Sequence, residues 1–411
     1  MTARAATGRG AVALAGMVSL AVAMGIGRFA FTPLLPMMLH DGVIDLHAAS
    51  WLASANYLGY LAGALLCTFQ PWIWARLPRL PPVDGPALVR AGLVATGLLT
   101  LGMALPLPWG WPLLRFAAGV ASALVFVYTS GWCLSQLARR DSSALGGVMY
   151  AGPGAGIVVS GLFASGMVQW QWLAATGWVI FGGLAFALTA GVWRIFSGGA
   201  TPQPAAGASA AQPADDVSHG RAEIGCLTLA YGIAGFGYII TATFLPVIAR
   251  AALPGSPWLD MFWPIFGLGV MAGALLATRL RINGDLRLLL AGSYLVQATG
   301  IAISVWSPSL AGFALGSLLL GIPFTAITFF AMQEVRRLRP LLAASFMGLL
   351  TAMYGIGQIV GPPLVALLLQ RSANAGAGFT RSLEIAIGAL LFGALLYLGM
   401  TRAYPMRRGS R

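Results

Sequence analysis

Long apolar runs separated by short polar or proline-containing breaks divide the chain from end to end. A helix needs about 20 mostly apolar residues to cross the hydrocarbon core of a bilayer. Twelve runs approach or exceed that length, near residues 11–39, 48–74, 88–107, 110–137, 143–168, 171–196, 223–250, 257–278, 286–306, 308–333, 341–370 and 379–403. This pattern predicts an all-α membrane protein with twelve transmembrane helices.

One stretch near the middle interrupts the pattern. Residues 197–222 are rich in Ala, Pro, Gly and Ser, a composition that cannot bury a core and is typical of a flexible linker. The linker would separate an N-terminal six-helix bundle, residues 1–196, from a C-terminal six-helix bundle, residues 223–411. The first apolar run is too long for the h-region of a signal peptide, so we expect it to be a retained span.

The amino-acid composition is that of a protein surrounded by lipid rather than by water. The chain is 58% hydrophobic and 9% charged, whereas soluble domains carry roughly 25% charged residues. All 24 basic residues are Arg. The absence of Lys excludes a P-loop ATPase and lysine Schiff-base enzymes. The three cysteines and three histidines show no disulfide or metal spacing. We therefore expect no cofactor, no metal and no catalytic site.

The arginines also set the orientation. With the N-terminus inside, nineteen of them fall in inside segments and three outside, while Arg28 and Arg115 lie within spans. The positive-inside rule therefore predicts an N-in, C-in protein with many spans in the cytoplasmic (inner) membrane. Arginines that cluster in short loops, rather than on one face, do not indicate nucleic-acid binding.

The two halves repeat. Residues 62–66 and 272–276 both read AGALL, an offset of 210, and the same offset aligns Gly25 with Gly235. Residues 149–150 and 353–354 both read Met-Tyr. The first and seventh spans both start inside, so the repeats are parallel and related by an axis along the membrane normal.

Three segments carry recognisable motifs: Arg115-x-x-x-Gly119-x-x-x-Ala123, Gly152-Pro153-Gly154-Ala155-Gly156, and residues 25–36 with 56–60. They resemble motifs of the major facilitator superfamily. The resemblance covers essentially the whole chain and implies that superfamily's fold and a secondary transporter that works by alternating access. Helices one, four, seven and ten would surround its central cavity. The usual acidic, glycine-rich loop between helices two and three is replaced here by residues 70–76. Residues 115–123 resemble the motif RxxxGxxxA of that superfamily, and residues 152–156 are similar to its antiporter motif. Residues 25–36 with 56–60 resemble the YbfB/YjiJ-like branch.

Two arginines within spans are candidate substrate-binding residues. A charge at the position of Arg28 costs at least ~2.5–3.5 kcal/mol, so it should face a wet cavity or a partner. Its guanidinium could fork onto a carboxylate, or it could be satisfied by helix carbonyls or a neighbouring tyrosine. Arg115 lies about one turn inside span four and could snorkel to the surface. The resemblance of its motif implies a role in coupling or packing.

Other mid-span residues have two interpretations each. Polar groups could line the cavity or make interhelical contacts; they are Tyr150, Tyr238, Tyr354 and Gln358. Glycines and prolines could serve packing alone or flex during transport; they are Gly152, Pro153, Gly156, Gly357, Gly361 and Pro362.

Carboxylates are scarce near the membrane centre. Glu223, Asp260, Glu334 and Glu384 lie at span ends, where we expect solvated groups or ion pairs. Two cavity-capable arginines without an acid partner favour an anionic substrate over a cationic drug.

These features together predict a monomeric transporter, not an enzyme, that moves a small organic solute across the bilayer, with protons as a candidate coupling ion. Two alternatives stay open. One is a proton-coupled multidrug efflux antiporter, which requires a titratable membrane carboxylate. The other is a non-transport membrane sensor or enzyme, which requires a midplane catalytic constellation or a soluble domain.

Overall fold

Twelve helices long and apolar enough to cross a membrane follow one another along the chain. They are seen in a computed structural model that describes residues 8–77, 83–197, 221–256, 258–280, 284–339 and 343–405. The prediction of twelve spans is confirmed, and no strand occurs in these described ranges. The predicted linker, residues 197–222, lies almost wholly outside them.

We number the helices α1–α12 in chain order. α1 comprises Arg9–Leu20, a π-helical turn Ala21–Ile26 and Phe31–His40, and α5 comprises Gly146–Tyr150 and Gly152–Gln169. The others are α2 Leu46–Arg76, α3 Gly85–Gly102, α4 Trp111–Ala138, α6 Ala174–Val192, α7 Arg221–Ala252, α8 Phe262–Ala277, α9 Leu286–Trp306, α10 Leu310–Leu338, α11 Ala343–Gln370 and α12 Ala375–Ala403.

Polar side chains cap the starts of several helices. The Asp45 carboxylate accepts the backbone N–H of Ala48 at 2.7 Å, and Asn374 accepts that of Ala377 at 2.8 Å. Such caps satisfy N–H groups that have no partner within the helix. They define where these helices begin.

The sequence repeat is also a repeat of packing. On α2, a Cβ at Gly59 would lie 1.9 Å from the carbonyl oxygen of Phe116 on α4. On α8, a Cβ at Gly273 would lie 1.8 Å from the carbonyl oxygen of Ile322 on α10. Glycine therefore allows α2 against α4 and α8 against α10 to approach backbone to backbone. Lipid offers no hydrophobic drive for association, so such close packing is the main attraction between spans.

Two helix pairs join the halves. α2 packs along α11, and α5 packs along α8. In the second pair, a Cβ at Gly154 would lie 2.7 Å from the carbonyl oxygen of Gly267. We call the side on which α1 begins the inner side, which the arginine distribution assigns to the cytoplasm, and the opposite side the outer side.

Candidate functional site

Helix α1 is broken in the middle of the membrane, whereas the sequence predicted one continuous helix there. The N–H of Gly27 donates to the carbonyl of Val22 at 2.9 Å, and that of Phe29 donates to Met24 at 3.0 Å. These bonds span five residues instead of four, a π-type widening that is frequent at functional sites. Regular helix resumes at Phe31. Arg28 therefore lies at the break.

Arg115 closes this break from the side. Its two terminal nitrogens donate to the carbonyl oxygens of Gly27, at 3.3 Å, and Arg28, at 3.1 Å. These oxygens lie where the regular helical ladder is interrupted. Arg115 is 2% exposed, so of the possibilities open from the sequence its side chain does not snorkel to the surface. Its guanidinium satisfies backbone carbonyls behind Arg28.

The motif around Arg115 serves helix packing. The side-chain amide of Asn56 donates to the carbonyl of Arg115 at 2.9 Å. A Cβ at Gly119 would lie 2.1 Å from the carbonyl oxygen of Asn56. The arginine and glycine positions of this motif thus hold α4 against α1 and α2.

The side chain of Arg28 reaches from the first half of the chain to the second. One terminal nitrogen donates to the amide oxygen of Gln358 at 2.6 Å. The guanidinium carbon lies 4.2 Å from the ring centroid of Tyr60 and 5.2 Å from that of Tyr57, distances at which the ring faces attract a cation. The Nε atom is buried and has no hydrogen-bond partner in the described part of the chain.

Gln358 links two symmetry-related positions. Its amide nitrogen donates to the hydroxyl of Tyr238, while its amide oxygen accepts from Arg28. Position 238 is the mate of position 28 at the repeat offset of 210. Arg28 and Tyr238, which occupy equivalent positions in the two repeats, therefore both form hydrogen bonds with Gln358 of α11.

A stack of aromatic rings extends this cluster. The rings of Tyr238 and Tyr354 are stacked with centroids 5.8 Å apart, and Tyr231 lies 4.8 Å from Tyr354. Phe324 meets the Tyr238 ring edge-on at 4.9 Å. Of the residues selected from the sequence, Arg28, Tyr238, Tyr354 and Gln358 therefore belong to one cluster.

Tyr150 has different direct contacts. Its ring packs against Phe126 of α4 at 6.2 Å, and no described hydrogen bond or ring contact joins it to the Arg28 cluster. Tyr57, Tyr60 and Phe324, by contrast, surround Arg28 or Tyr238 and were not selected. Tyr57 and Tyr60, three residues apart and hence on one helix face, were the signal in the sequence.

The selected glycines lie in close helix contacts. A Cβ at Gly152 would lie 2.3 Å from the carbonyl oxygen of Met17, and one at Gly357 would lie 2.2 Å from that of Gly232. Gly156 meets the backbone of α1 in the same manner, whereas Gly361 packs against the Ile239 side chain of α7. Pro153 follows the interruption of α5 at Ala151, and Pro362 lies within an unbroken α11. Flexing at these positions stays a prediction.

Four contacts close the outer side between the halves, and we call them the outer seam. They are the Thr32 hydroxyl to the carbonyl of Ala242 at 3.0 Å, the hydroxyls of Tyr57 and Thr243 at 2.8 Å, the Ser54 hydroxyl to the carbonyl of Ile359 at 3.0 Å, and the side chains of His47 and Gln370 at 3.1 Å. Thr32 and Ala242 are themselves repeat mates at offset 210. Contact between mates places the pseudo-twofold axis in this seam.

The inner side is less closely packed across the interface. Within the described residues, α4 and α10 do not pack extensively against each other. Tyr60, Tyr150, Phe324 and Tyr354 pack on the hydrophobic core and yet are only partly buried. Part of each of these four aromatic side chains therefore remains accessible.

The carboxylates of the second half form an inner-side cluster around Arg287. Arg287 is fully buried and lies 3.2 Å from Glu223, 2.8 Å from Asp285 and 3.8 Å from Glu334. Glu223 and Glu334 were expected as solvated ends or ion pairs; they are buried and paired. Burial would raise the pKa of Asp285, but hydrogen bonds from Arg287 hold that pKa below its usual value.

Asp260 and Glu384, the other two carboxylates singled out in the sequence, lie near the outer side. Asp260 pairs with Arg250 at 2.5 Å, and Glu384 is exposed. In the ranges that the structure describes, no carboxylate is hydrogen-bonded or ion-paired to Arg28 or Arg115.

Comparisons with known proteins agree on one architecture. A family model described as "Uncharacterised MFS-type transporter YbfB" matches residues 20–398. No curated protein sequence matches significantly. A crystal structure of a mutant of the nucleoside transporter NupG aligns with a TM-score of 0.71 at 13% identity, over 95% of this chain and 99% of that one. A D-xylose–proton symporter aligns with a TM-score of 0.70 at 13% identity, over 94% and 96%. The predicted two-repeat, twelve-helix fold is confirmed.

Proposed function

The chain belongs to the YbfB-like family of major facilitator superfamily transporters, and we propose that it moves a small organic anion across the membrane by alternating access. Membership makes it a multi-pass membrane transporter and not an enzyme. The class of solute is the further step, and it rests on the Arg28 cluster.

The observation that carries the proposal is the uncompensated charge of Arg28. The side chain is 3% exposed, and its hydrogen-bond partner is the neutral amide of Gln358. A buried cation is costly unless a counter-charge approaches it. A solute carboxylate that reaches this guanidinium would supply the counter-charge and accept two parallel N–H bonds.

The same bond connects binding to the state of the transporter. A carboxylate on Arg28 would displace the amide oxygen of Gln358 and so remove one link between the halves. We infer that the outer seam is closed and the inner side open in this state, so that the solute would exchange with the cytoplasm. Opening the outer seam would then expose the same cluster to the other side, as alternating access requires.

Drug–proton antiport has less support. A cationic drug bound beside Arg28 would be repelled by its like charge, and no described acid lies in the cluster to offset it.

For the energy source of transport we propose a proton gradient. Within the described residues, Glu334 is a fully buried carboxylate with Arg337 and Arg287 at 3.4 and 3.8 Å, and neither of its oxygens accepts a hydrogen bond. We propose it as a candidate carrier of the proton.

A binding screen tests the proposal. Thermal unfolding of the purified chain is measured with organic carboxylates, neutral sugars and nucleosides, and cationic drugs. We expect carboxylates to stabilise the wild type, and Arg28→Gln to weaken that binding about 10- to 150-fold, because a charged hydrogen bond contributes about 1.5–3 kcal/mol.

Arg371→Gln is the matched control, because it removes one positive charge from an exposed position on the outer side. It should bind carboxylates like the wild type. Stabilisation by neutral or cationic compounds alone, equal in Arg28→Gln and wild type, would exclude an anionic substrate.

A further inference from the structure

An open groove lies on the lipid-facing surface of the first half, between α3 and α6 on the inner side. Its volume is about 320 Å³, and it is lined by Val94, Phe186, Thr189, Ala190, Trp193 and Arg194. Its walls are mostly apolar, while its inner end carries charge. None of these residues belongs to the Arg28 cluster or to the outer seam.

Two arginines lie near the inner end of the groove. Arg194 lines it, and the guanidinium of Arg90 lies 5.2 Å from the ring centroid of Trp193. The Nε atom of Arg90 is buried without a hydrogen-bond partner, and neither arginine has an ion pair within the described ranges. The acid at the start of α3, Asp84, accepts the N–H of Ala87 as a helix cap.

We propose that this groove binds one anionic phospholipid of the cytoplasmic leaflet. The phosphodiester would lie at Arg90 and Arg194, with the Trp193 indole at the level of the glycerol. One acyl chain would run outward along Val94 and Phe186. Val94 lies one helical turn, about 6 Å, deeper than Arg90, as a chain entering the hydrocarbon requires.

Charge complementarity and position select this occupant. Basic pockets between transmembrane helices on the cytoplasmic side are typical sites for anionic head groups, and tryptophan is enriched at the membrane–water interface. A free phosphate would use the arginines but leave the apolar walls unused. A neutral lipid would use the walls but leave two guanidinium groups without a counter-charge.

Lipid retention tests the proposal on the full chain. The protein is purified in detergent and titrated with phosphatidylglycerol, phosphatidylcholine or soluble glycerophosphate; bound lipid is counted by native mass spectrometry, and thermal stability is followed in parallel. We expect one retained phosphatidylglycerol and a higher melting temperature, with little effect of the other two.

Two variants separate the head-group end from the acyl groove. Arg90→Gln with Arg194→Gln should weaken phosphatidylglycerol binding about tenfold or more, since each arginine near a membrane surface contributes about 1 kcal/mol to attraction of anionic lipid. Ala190→Phe keeps both charges and fills the groove, so it should also release the lipid. Ala190 is exposed on a lipid-facing helix, which makes the larger side chain compatible with folding.

Arg76→Gln with Arg402→Gln is the matched control. It removes two exposed inner-side charges, and Arg76 likewise stacks on a tryptophan, Trp72, at 3.8 Å. This control should retain the lipid. The proposal is overturned if the control loses as much lipid as the groove variant, if Ala190→Phe binds normally, or if phosphatidylcholine or glycerophosphate binds as well as phosphatidylglycerol.

Discussion

The two arginines inside the membrane are satisfied in different ways. Arg115 donates two hydrogen bonds to backbone carbonyls at the break in α1. Arg28 donates to one neutral amide and otherwise faces aromatic rings. This contrast supports the proposal that Arg28, rather than Arg115, binds the solute. We assign Arg115 a positioning role.

Substitution of Arg115 should lower stability. Arg115→Gln removes two charge-assisted bonds, each about 1.5–3 kcal/mol, and leaves the carbonyls of Gly27 and Arg28 short of donors. Arg115→Lys should recover only part of the loss, because an ammonium lacks the planar fork. Thermal unfolding in detergent measures both. A melting temperature of Arg115→Gln equal to that of the wild type would contradict the assigned role.

At the scale of helices, close glycine contacts determine which spans touch. A Cβ at Gly25 would lie 2.3 Å from the Cα of Gly156, so α1 and α5 meet backbone to backbone beside the break. The obstacle is main chain, which cannot rotate away as a side chain can. The widened turn of α1 and the interruption of α5 at Ala151 lie near this contact.

Two glycines of α5 provide a matched comparison. In Gly156→Ala the new methyl would meet the backbone of α1, and overpacking of this kind costs about 1–3 kcal/mol. Gly166→Ala meets nothing within 4 Å and should be neutral or stabilising by up to about 1 kcal/mol, because Ala is the better helix former. Melting temperatures of the two variants, read side by side, test this. Equal values would mean that the α1–α5 contact is not restrictive.

At the scale of the molecule, the halves meet on a polar outer seam and on two long helix pairs. Each seam contact joins a residue of the first half to one of the second, so outward opening must break all four. A hydroxyl or amide that loses such a partner can form hydrogen bonds with water that enters the opened seam. The free-energy cost of breaking the seam contacts is therefore small. A seam of this kind can close firmly and still reopen.

A reversible cross-link tests this movement. Thr32→Cys with Ala242→Cys, in a chain whose three native cysteines are replaced, should form a disulfide across the seam on oxidation. Uptake into proteoliposomes of the anion found by the binding screen should then stop and return with reductant, while each single variant transports throughout. Wild-type transport by the oxidised double variant would show that the seam does not open.

The sequence by itself determined the class, the span count, the orientation and the repeat. Apolar length and arginine placement are properties of local segments measured against a bilayer, so they need no tertiary information. The repeat offset even paired Arg28 with Tyr238 before any contact was visible. Candidate polar residues were found because a polar group in a span is costly wherever it faces.

Only the tertiary structure decided which faces meet. The sequence could not show that Gln358 joins positions 28 and 238, that the Tyr150 ring packs on Phe126, or that Arg115 is buried rather than at the surface. It also gave no sign of the break in α1, because the missing backbone bonds are supplied by Arg115 from another helix. The rotation of each helix about its axis is set by packing between helices. When a helix is hydrophobic on all sides, its sequence does not show which face packs against a neighbour.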